Sequence, residues 1–202
     1  MEGSMGYYNM DDEYQQQDLY CRNYCPYYRT DFKPFDTVKK AMQKVRIAVA
    51  VLKGGSSNPN IKGRVIFRDV PGGTQVCVNV TGLPPYRPAS GDAPQIGPHG
   101  FHIHEFGNCD EGDPKNPFKA AGEHWNPTKQ PHGNHAGDFP VLFSNNGNAR
   151  MCFFTNKFKV SDIIGKTVII HESPDDYKSQ PAGNAGKRIG CGVIKGYSIL
   201  KP

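Results

Sequence analysis

The chain of 202 residues carries 24 Lys and Arg against 19 Asp and Glu, a formal charge of +5, with seven histidines and six cysteines. That length suits one well-buried domain plus an appendage. No apolar run approaches a membrane span, and the first 17 residues have neither the basic start nor the apolar centre of a secretory signal, so a helical membrane protein and a classically secreted one are not expected.

Residues 1–36 read as a separate, disordered tail. Seven of the ten tyrosines fall there, at positions 7, 8, 14, 20, 24, 27 and 28, among Asp, Gln and Asn with almost no aliphatic residues, which leaves little from which to build a core. Seven acids against three bases give this tail a net charge of −4, and the remaining residues then carry +9. Cys21 and Cys25 sit in it with C-x3-C spacing, better suited to intermolecular disulfides or inert thiols than to zinc. Tyrosines and thiols both cross-link oxidatively, so the tail suits anchoring in a coat or envelope layer; a solvated tail with no role fits equally. The expected location is cytoplasmic or within such an assembly. The basic remainder has no nucleic-acid motif or clustered basic helix, so a small anion is a better partner than nucleic acid, and no membrane partner is expected.

The domain is expected over residues 37–202. From Lys44 the period becomes that of strands: Val45, Ile47, Val49 and Val51 make an apolar face backed by a milder one of Arg46, Ala48, Ala50 and Leu52. Gly54-Gly55-Ser56-Ser57-Asn58-Pro59 breaks the run as a turn. Residues 61–69 and 74–83 read as two strands joined by Pro71-Gly72-Gly73, with Val76, Val78 and Val80 on one side. Residues 139–144 and 148–154 read as a strand pair about Asn145-Asn146-Gly147. Residues 166–171 form a short β-branched strand, and 189–200 a closing strand or pair. Cys77 and Cys152 fall in predicted strands as small buried hydrophobes. No helical periodicity of any length occurs. The fold class is therefore all-β: a Greek-key antiparallel β-sandwich or flattened barrel of about eight strands with long loops.

Six of the seven histidines lie within residues 99–138. His102 and His104 flank Ile103, and residues i and i+2 of a strand project from one face, so the two rings can grip one ion. His124, His132 and His135, with Asp138, form a second cluster on a Gly/Pro/Asn-rich segment too irregular for a helix. Imidazole suits zinc and copper, whereas magnesium or calcium calls for mostly oxygen ligands, so both clusters point to transition metals.

Gly100-Phe101-His102-Ile103-His104-Glu105-Phe106-Gly107, His124-Trp125-Asn126-Pro127 and His135-Ala136-Gly137-Asp138 resemble the copper/zinc superoxide dismutase family. Ile163 through Glu172 and Gly183 through Ile194 continue the resemblance in the same order, over roughly residues 44–202. It implies dismutation of superoxide to oxygen and hydrogen peroxide by a redox-cycling copper, bridged through an imidazolate to a structural zinc. Copper is expected on His102, His104, His124 and His171, and zinc on His124, His132, His135 and Asp138. The resemblance further makes His124 the bridge that carries a proton, Arg188 the residue that draws in the anion, and Asp175 the acid that orients His102 and His132. It also implies a Cys109–Cys191 disulfide, worth about 3 to 5 kcal/mol in the chain-entropy model. A homodimer is common in the family. Glu123, before His124, departs from the Gly-Pro-His or Gly-Gly-His more usual there, and His99 takes no family role. The alternative is a non-catalytic zinc-bound scaffold or copper-storage relative anchored by its Tyr/Cys tail.

Overall fold

The computed structural model describes residues 45–199. The Tyr-rich tail, Cys21, Cys25 and the expected boundary at residue 36 lie outside them. One seven-stranded antiparallel sheet dominates: β1 (Val45–Gly54), β2 (Lys62–Val70), β3 (Gly73–Thr81), β4 (Phe101–His104), β5 (Ala149–Thr155), β6 (Thr167–His171) and β7 (Arg188–Ile199). Their order is β4-β6-β7-β1-β2-β3-β5. Among the described residues helix is limited to a single turn, Val160–Ile163, and a 3-10 turn, Lys119–Ala121. The sheet curls around one main core to which Leu52, Val65, Phe67, Val76, Val80, Phe101 and Ile170 contribute.

Two turns set the first three strands. The Gly54 amide donates to Ile61 across the first, and Pro71 and Gly72 close the second, with Gly72 at φ 84°, a left-handed conformation natural to glycine. On β3, Val76, Val78 and Val80 point inward as expected. On β1 the expectation is reversed in part: of the expected apolar face Ile47 is buried and Val49 half-buried, but the opposite face is the better covered. Ala48, Ala50 and Leu52 face the core, while Val51 on the other face is 59% exposed. The reason is packing: small alanines let the curled sheet close over Val65 and Phe67, so the bulkier Val51 falls outside.

Residues 139–144 do not form the expected strand. They follow β4 through isolated pairings, with mutual His99 and Leu142 backbone hydrogen bonds and Phe139 donating to Phe101, but no continuous ladder. Pro140 has no amide to donate, which interrupts a ladder at that point. This irregular run flanks one edge strand, β4, and leads through the Asn145–Asn148 turn into the other edge strand, β5. Because β4 and β6 are antiparallel, the loops 105–123 and 172–187 leave them from opposite ends; the first returns at His124 beside His104 and is tied to β7 through Cys109 and Cys191, and the second leads into β7 at Arg188.

The reading of Cys77 and Cys152 as small buried hydrophobes holds for Cys77, 8% exposed, and is corrected for Cys152. They stand directly opposite in the β3–β5 register and form a disulfide, with Cys152 exposed. Both occupy outward positions of their strands, which a one-dimensional pattern of two separate strands does not reveal.

Candidate metal centre

The strand ladder does the first part of the assembly. β4 pairs with β6 in the register Phe101↔Ile170 through His104↔Thr167, and both strands are buried throughout. His102 and His104 therefore project together from β4, and His171 enters from the end of β6, where a bulge re-aims the chain opposite Arg188. An isolated pairing brings His124 beside His104. One ligand atom from each of His102, His104, His124 and His171 falls within 4.8 Å of the others, and the same holds for His124, His132, His135 and Asp138. His124 belongs to both sets.

Hydrogen bonds to the far side of each ring fix which nitrogen is left to bind. His104 donates Nδ1–H to Gly122 O at 3.0 Å and His171 donates Nδ1–H to Gly186 O at 3.1 Å. Their Nε2 lone pairs then face each other at 3.4 Å. Asp175 takes two rings at once: Oδ2 accepts from His102 Nε2 at 2.6 Å and Oδ1 from His132 Nε2 at 2.8 Å. That leaves the Nδ1 lone pairs of His102 and His132 to bind a metal. Asp138 gathers the second set, with Oδ1 at 3.0 Å from His124 Nδ1 and 3.3 Å from His135 Nδ1, and Oδ2 at 3.3 Å from His132 Nδ1.

The unsatisfied atoms test whether metals fit. His102 Nδ1, His124 Nε2, His132 Nδ1 and His135 Nδ1 are buried without a hydrogen-bond partner. Buried nitrogen lone pairs of this kind are costly unless something coordinates them, and here they converge in two groups with the chemistry of copper and zinc ligands. A four-imidazole set and a three-imidazole, one-carboxylate set both fit.

Burial favours the neutral form of His102, His104, His135 and His171, and Asp138 stays charged, as metal ligation requires. Burial, reinforced by the neighbouring His124, pushes His171 down to about 3, and burial drives His102 and His104 well below their ordinary value. Burial alone would raise Asp138, but the hydrogen bond from His124 and the fields of the three rings bring it to about 2.

Arg188, half-buried at the start of β7, donates from Nη1 to Phe118 O at 2.8 Å and from Nη2 to Gly122 O at 2.7 Å. Gly122 O thus holds both His104 and Arg188, and the guanidinium field helps to depress His104 and His171. The loop carrying Phe118 and Gly122 is tied to β7 by the Cys109–Cys191 disulfide.

Three features escape a reading of the sequence. A main-chain carbonyl such as Gly122 O carries no side-chain signal. His99 is fully buried and donates Nδ1–H to the carbonyl of His171 at 2.9 Å, a tie visible only when β4 and β6 are paired. Gly183, at φ 66°, abuts Asp175 and His132, and a Cβ there would collide with both; its signal was the Gly-Asn-Ala-Gly run.

A family profile described as copper/zinc superoxide dismutase matches residues 61–194. A superoxide dismutase [Cu-Zn] of Deinococcus radiodurans is 36% identical over 152 residues, covering 67% of this chain and 78% of that protein. Superoxide dismutase [Cu-Zn] 1 of Aquifex aeolicus is 47% identical over 110 residues, covering 47% of this chain and 63% of that protein. A superoxide dismutase [Cu-Zn] of Paramecium bursaria Chlorella virus 1 is 34% identical over 167 residues, covering 75% of this chain and 78% of that protein. With the curled antiparallel sheet and the paired histidine sets that share one ring, these matches place the chain in the copper/zinc superoxide dismutase family.

Proposed function

We propose that the centre converts two superoxide ions and two protons into oxygen and hydrogen peroxide, with copper held by His102, His104, His124 and His171 and zinc by His124, His132, His135 and Asp138. The observation that carries this reading is the single ring, His124, shared by two buried donor sets. Copper supplies reversible one-electron transfer and zinc a redox-inert positive charge.

The protein's own groups supply the rest. Arg188, pinned by two carbonyls, offers a permanently charged anchor for a small anion beside the four-imidazole pocket. His124 directs Nε2 to that pocket and Nδ1 to Asp138, so a proton taken up at Nε2 is available for the departing peroxide while Nδ1 keeps the ring in place. Asp175 couples the two sets mechanically, since one carboxylate orients a ring in each.

The test is metal content and superoxide dismutation on one purified sample, as isolated and after adding both metals, beside Arg188→Ala and His102→Ala. One copper and one zinc per chain, with lower activity in both variants, supports the reading. Zinc alone, or copper without turnover, replaces it with a scaffold or a copper store.

Assembly forms part of the same proposal. The exposed apolar side chains include Val51, Phe106 and Ile164, at 59%, 59% and 49%, and pairing with a second copy through such residues is tested by whether Phe106→Glu yields monomers in sedimentation. The Tyr/Cys composition of residues 1–36 supports oxidative anchoring in a coat or envelope rather than a purely cytoplasmic life. Peroxide and a peroxidase then produce tail-dependent dityrosine multimers, and monomers throughout overturn it.

A further inference from the structure

Tyr177 stands in the loop between β6 and β7, two residues past Asp175, and the function described above gives it no part. Its ring is 42% exposed and lies outside both hydrophobic clusters of the described residues, so burial does not account for an aromatic at this position. Its backbone is unusual as well. With φ at 56° it takes the left-handed conformation, which a bulky residue adopts only where its surroundings hold it there.

Three contacts hold it, and each reaches toward the three-imidazole, one-carboxylate set. The amide of Tyr177 donates to Asp175 Oδ1 at 2.7 Å, the same oxygen that accepts from His132 Nε2 at 2.8 Å. The carbonyl of Tyr177 abuts Gly133, next to His132, so closely that a Cβ on Gly133 would collide with it. The hydroxyl accepts from the amide of Val141 at 2.7 Å and donates to the carbonyl of Phe139 at 3.2 Å. Those two backbone groups flank Pro140, on the run directly after Asp138 where no continuous ladder forms. One phenolic oxygen thus satisfies both a donor and an acceptor that a neighbouring strand would otherwise take.

The two donor sets differ in their need for such a clamp. His102 and His104 stand on β4 and His171 ends β6, and the β4–β6 ladder holds those backbones in register. His132, His135 and Asp138 come from an irregular segment that is held locally, Asp138 Oδ2 accepting from the amides of Gly133 and His135. The exit of that segment runs through Phe139 to Val141, and Tyr177 ties it to the loop that carries Asp175.

We propose that Tyr177 is a positioning residue for the second metal: its hydroxyl locks the segment carrying His132, His135 and Asp138 against the loop 172–187, so that zinc leaves slowly, while copper retention is indifferent to it. The inference rests on the two-metal reading given above and adds to it the residue that sets how firmly one of the two metals is kept. Removing the hydroxyl leaves the Tyr177 amide on Asp175, so His102 and His132 keep their shared carboxylate, and the effect falls on the irregular segment alone.

The experiment uses the full chain loaded with copper and zinc, challenged with an excess of chelator while each metal is followed separately. The expected result is that Tyr177→Phe releases zinc roughly tenfold faster than the parent chain and copper within about twofold of it, the scale on which outer partners of metal ligands act. Tyr177→Gly suits the left-handed backbone better and still lacks the hydroxyl, so it also releases zinc faster, which separates the clamp from the backbone conformation. Cobalt(II) in place of zinc gives a ligand-field spectrum that shifts in Tyr177→Phe, a sign of displaced ligands that general loosening of the fold does not produce. Zinc release unchanged in Tyr177→Phe or Tyr177→Gly, an identical cobalt spectrum, or copper and zinc lost equally fast each overturns this inference alone. A parent chain that takes up no zinc overturns the two-metal reading and the inference with it.

Discussion

The two donor sets meet at His124 but are held by different means. In the four-imidazole pocket His102, His104 and His171 stand on paired strands, and the β4–β6 ladder fixes their backbone before any side chain is considered. In the second pocket His132, His135 and Asp138 come from a stretch without a ladder. Its order comes from local ties instead: Asp138 Oδ2 accepts from the amides of Gly133 and His135 at 3.0 and 2.9 Å, Gln180 Oε1 from the amide of His132 at 2.9 Å, and Asn126 exchanges hydrogen bonds with Gln130. A ligand that is also a structural hub has a second role to lose. The difference suggests that the strand-held pocket is formed in the metal-free protein, whereas the loop-held pocket and the zinc it takes support one another.

Removing a ring breaks the comparison most sharply. His124→Ala disables both pockets and lowers activity by roughly a thousandfold or more, the scale expected when a component of a catalytic unit is lost. His102→Ala lowers activity comparably but leaves zinc in the loop-held set. Metal analysis of the two variants separates them, and loss of zinc from His102→Ala would mean that the pockets are not independently held.

Opening Cys109–Cys191 by Cys109→Ser lowers unfolding free energy by about 4 to 5 kcal/mol in the chain-entropy model, read by denaturant titration. Its effect on metals falls on the strand-held side, because the loop it pins carries Phe118 and Gly122, the carbonyls that hold Arg188 and His104.

Asp175→Asn tests the link between the pockets. Because one carboxylate orients His102 and His132, affinity falls in both sets by about 10- to 100-fold, measured by competition with a chelator. A loss confined to one metal would show that the other ring is oriented well enough by its surroundings.

Acid is the most graded test. Between an ordinary 6.5 and about 3 the unfolded chain protonates where folded His171 does not, so the metal-free protein loses stability as pH falls through that range. The slope is at most about 1.4 kcal/mol per pH unit for that group. Asp138, held to about 2 against 3.8, adds a loss in the same direction below 3.8, where its pairing with the loop rings is protonated away. Thermal denaturation of metal-free protein across pH 7 to 4 follows the first effect, and stability that rises on acidification would contradict the burial of these rings.

Ligand identity was legible in the chain because it is a matter of residue type and short spacing. His102 and His104 at i and i+2 predict a shared face on any strand, and the succession of motifs through Gly183-Asn184-Ala185-Gly186 resembles one family in order. The strands from 62 to 81 were legible for a similar reason: alternation and a Pro-Gly-Gly turn are local. The inward face of β1 was not, because hydrophobicity ranks Val51 above Ala50 while the curvature of the closed sheet admits only the smaller side chain. Nor was the strand at 139–144, where Pro140 interrupts what the apolar pattern suggests.

By itself the sequence determined an all-β domain and two clusters of transition-metal ligands, since these follow from composition, period and residue type, while the sharing of His124 came with the family resemblance. Only the tertiary structure decided which ring nitrogen is free, that Gly122 O serves both His104 and Arg188, and that Cys77 meets Cys152 across β3 and β5. Those facts depend on strand register and loop return between residues as much as 75 positions apart, and contacts at that separation are set by packing of the whole sheet rather than by any local preference.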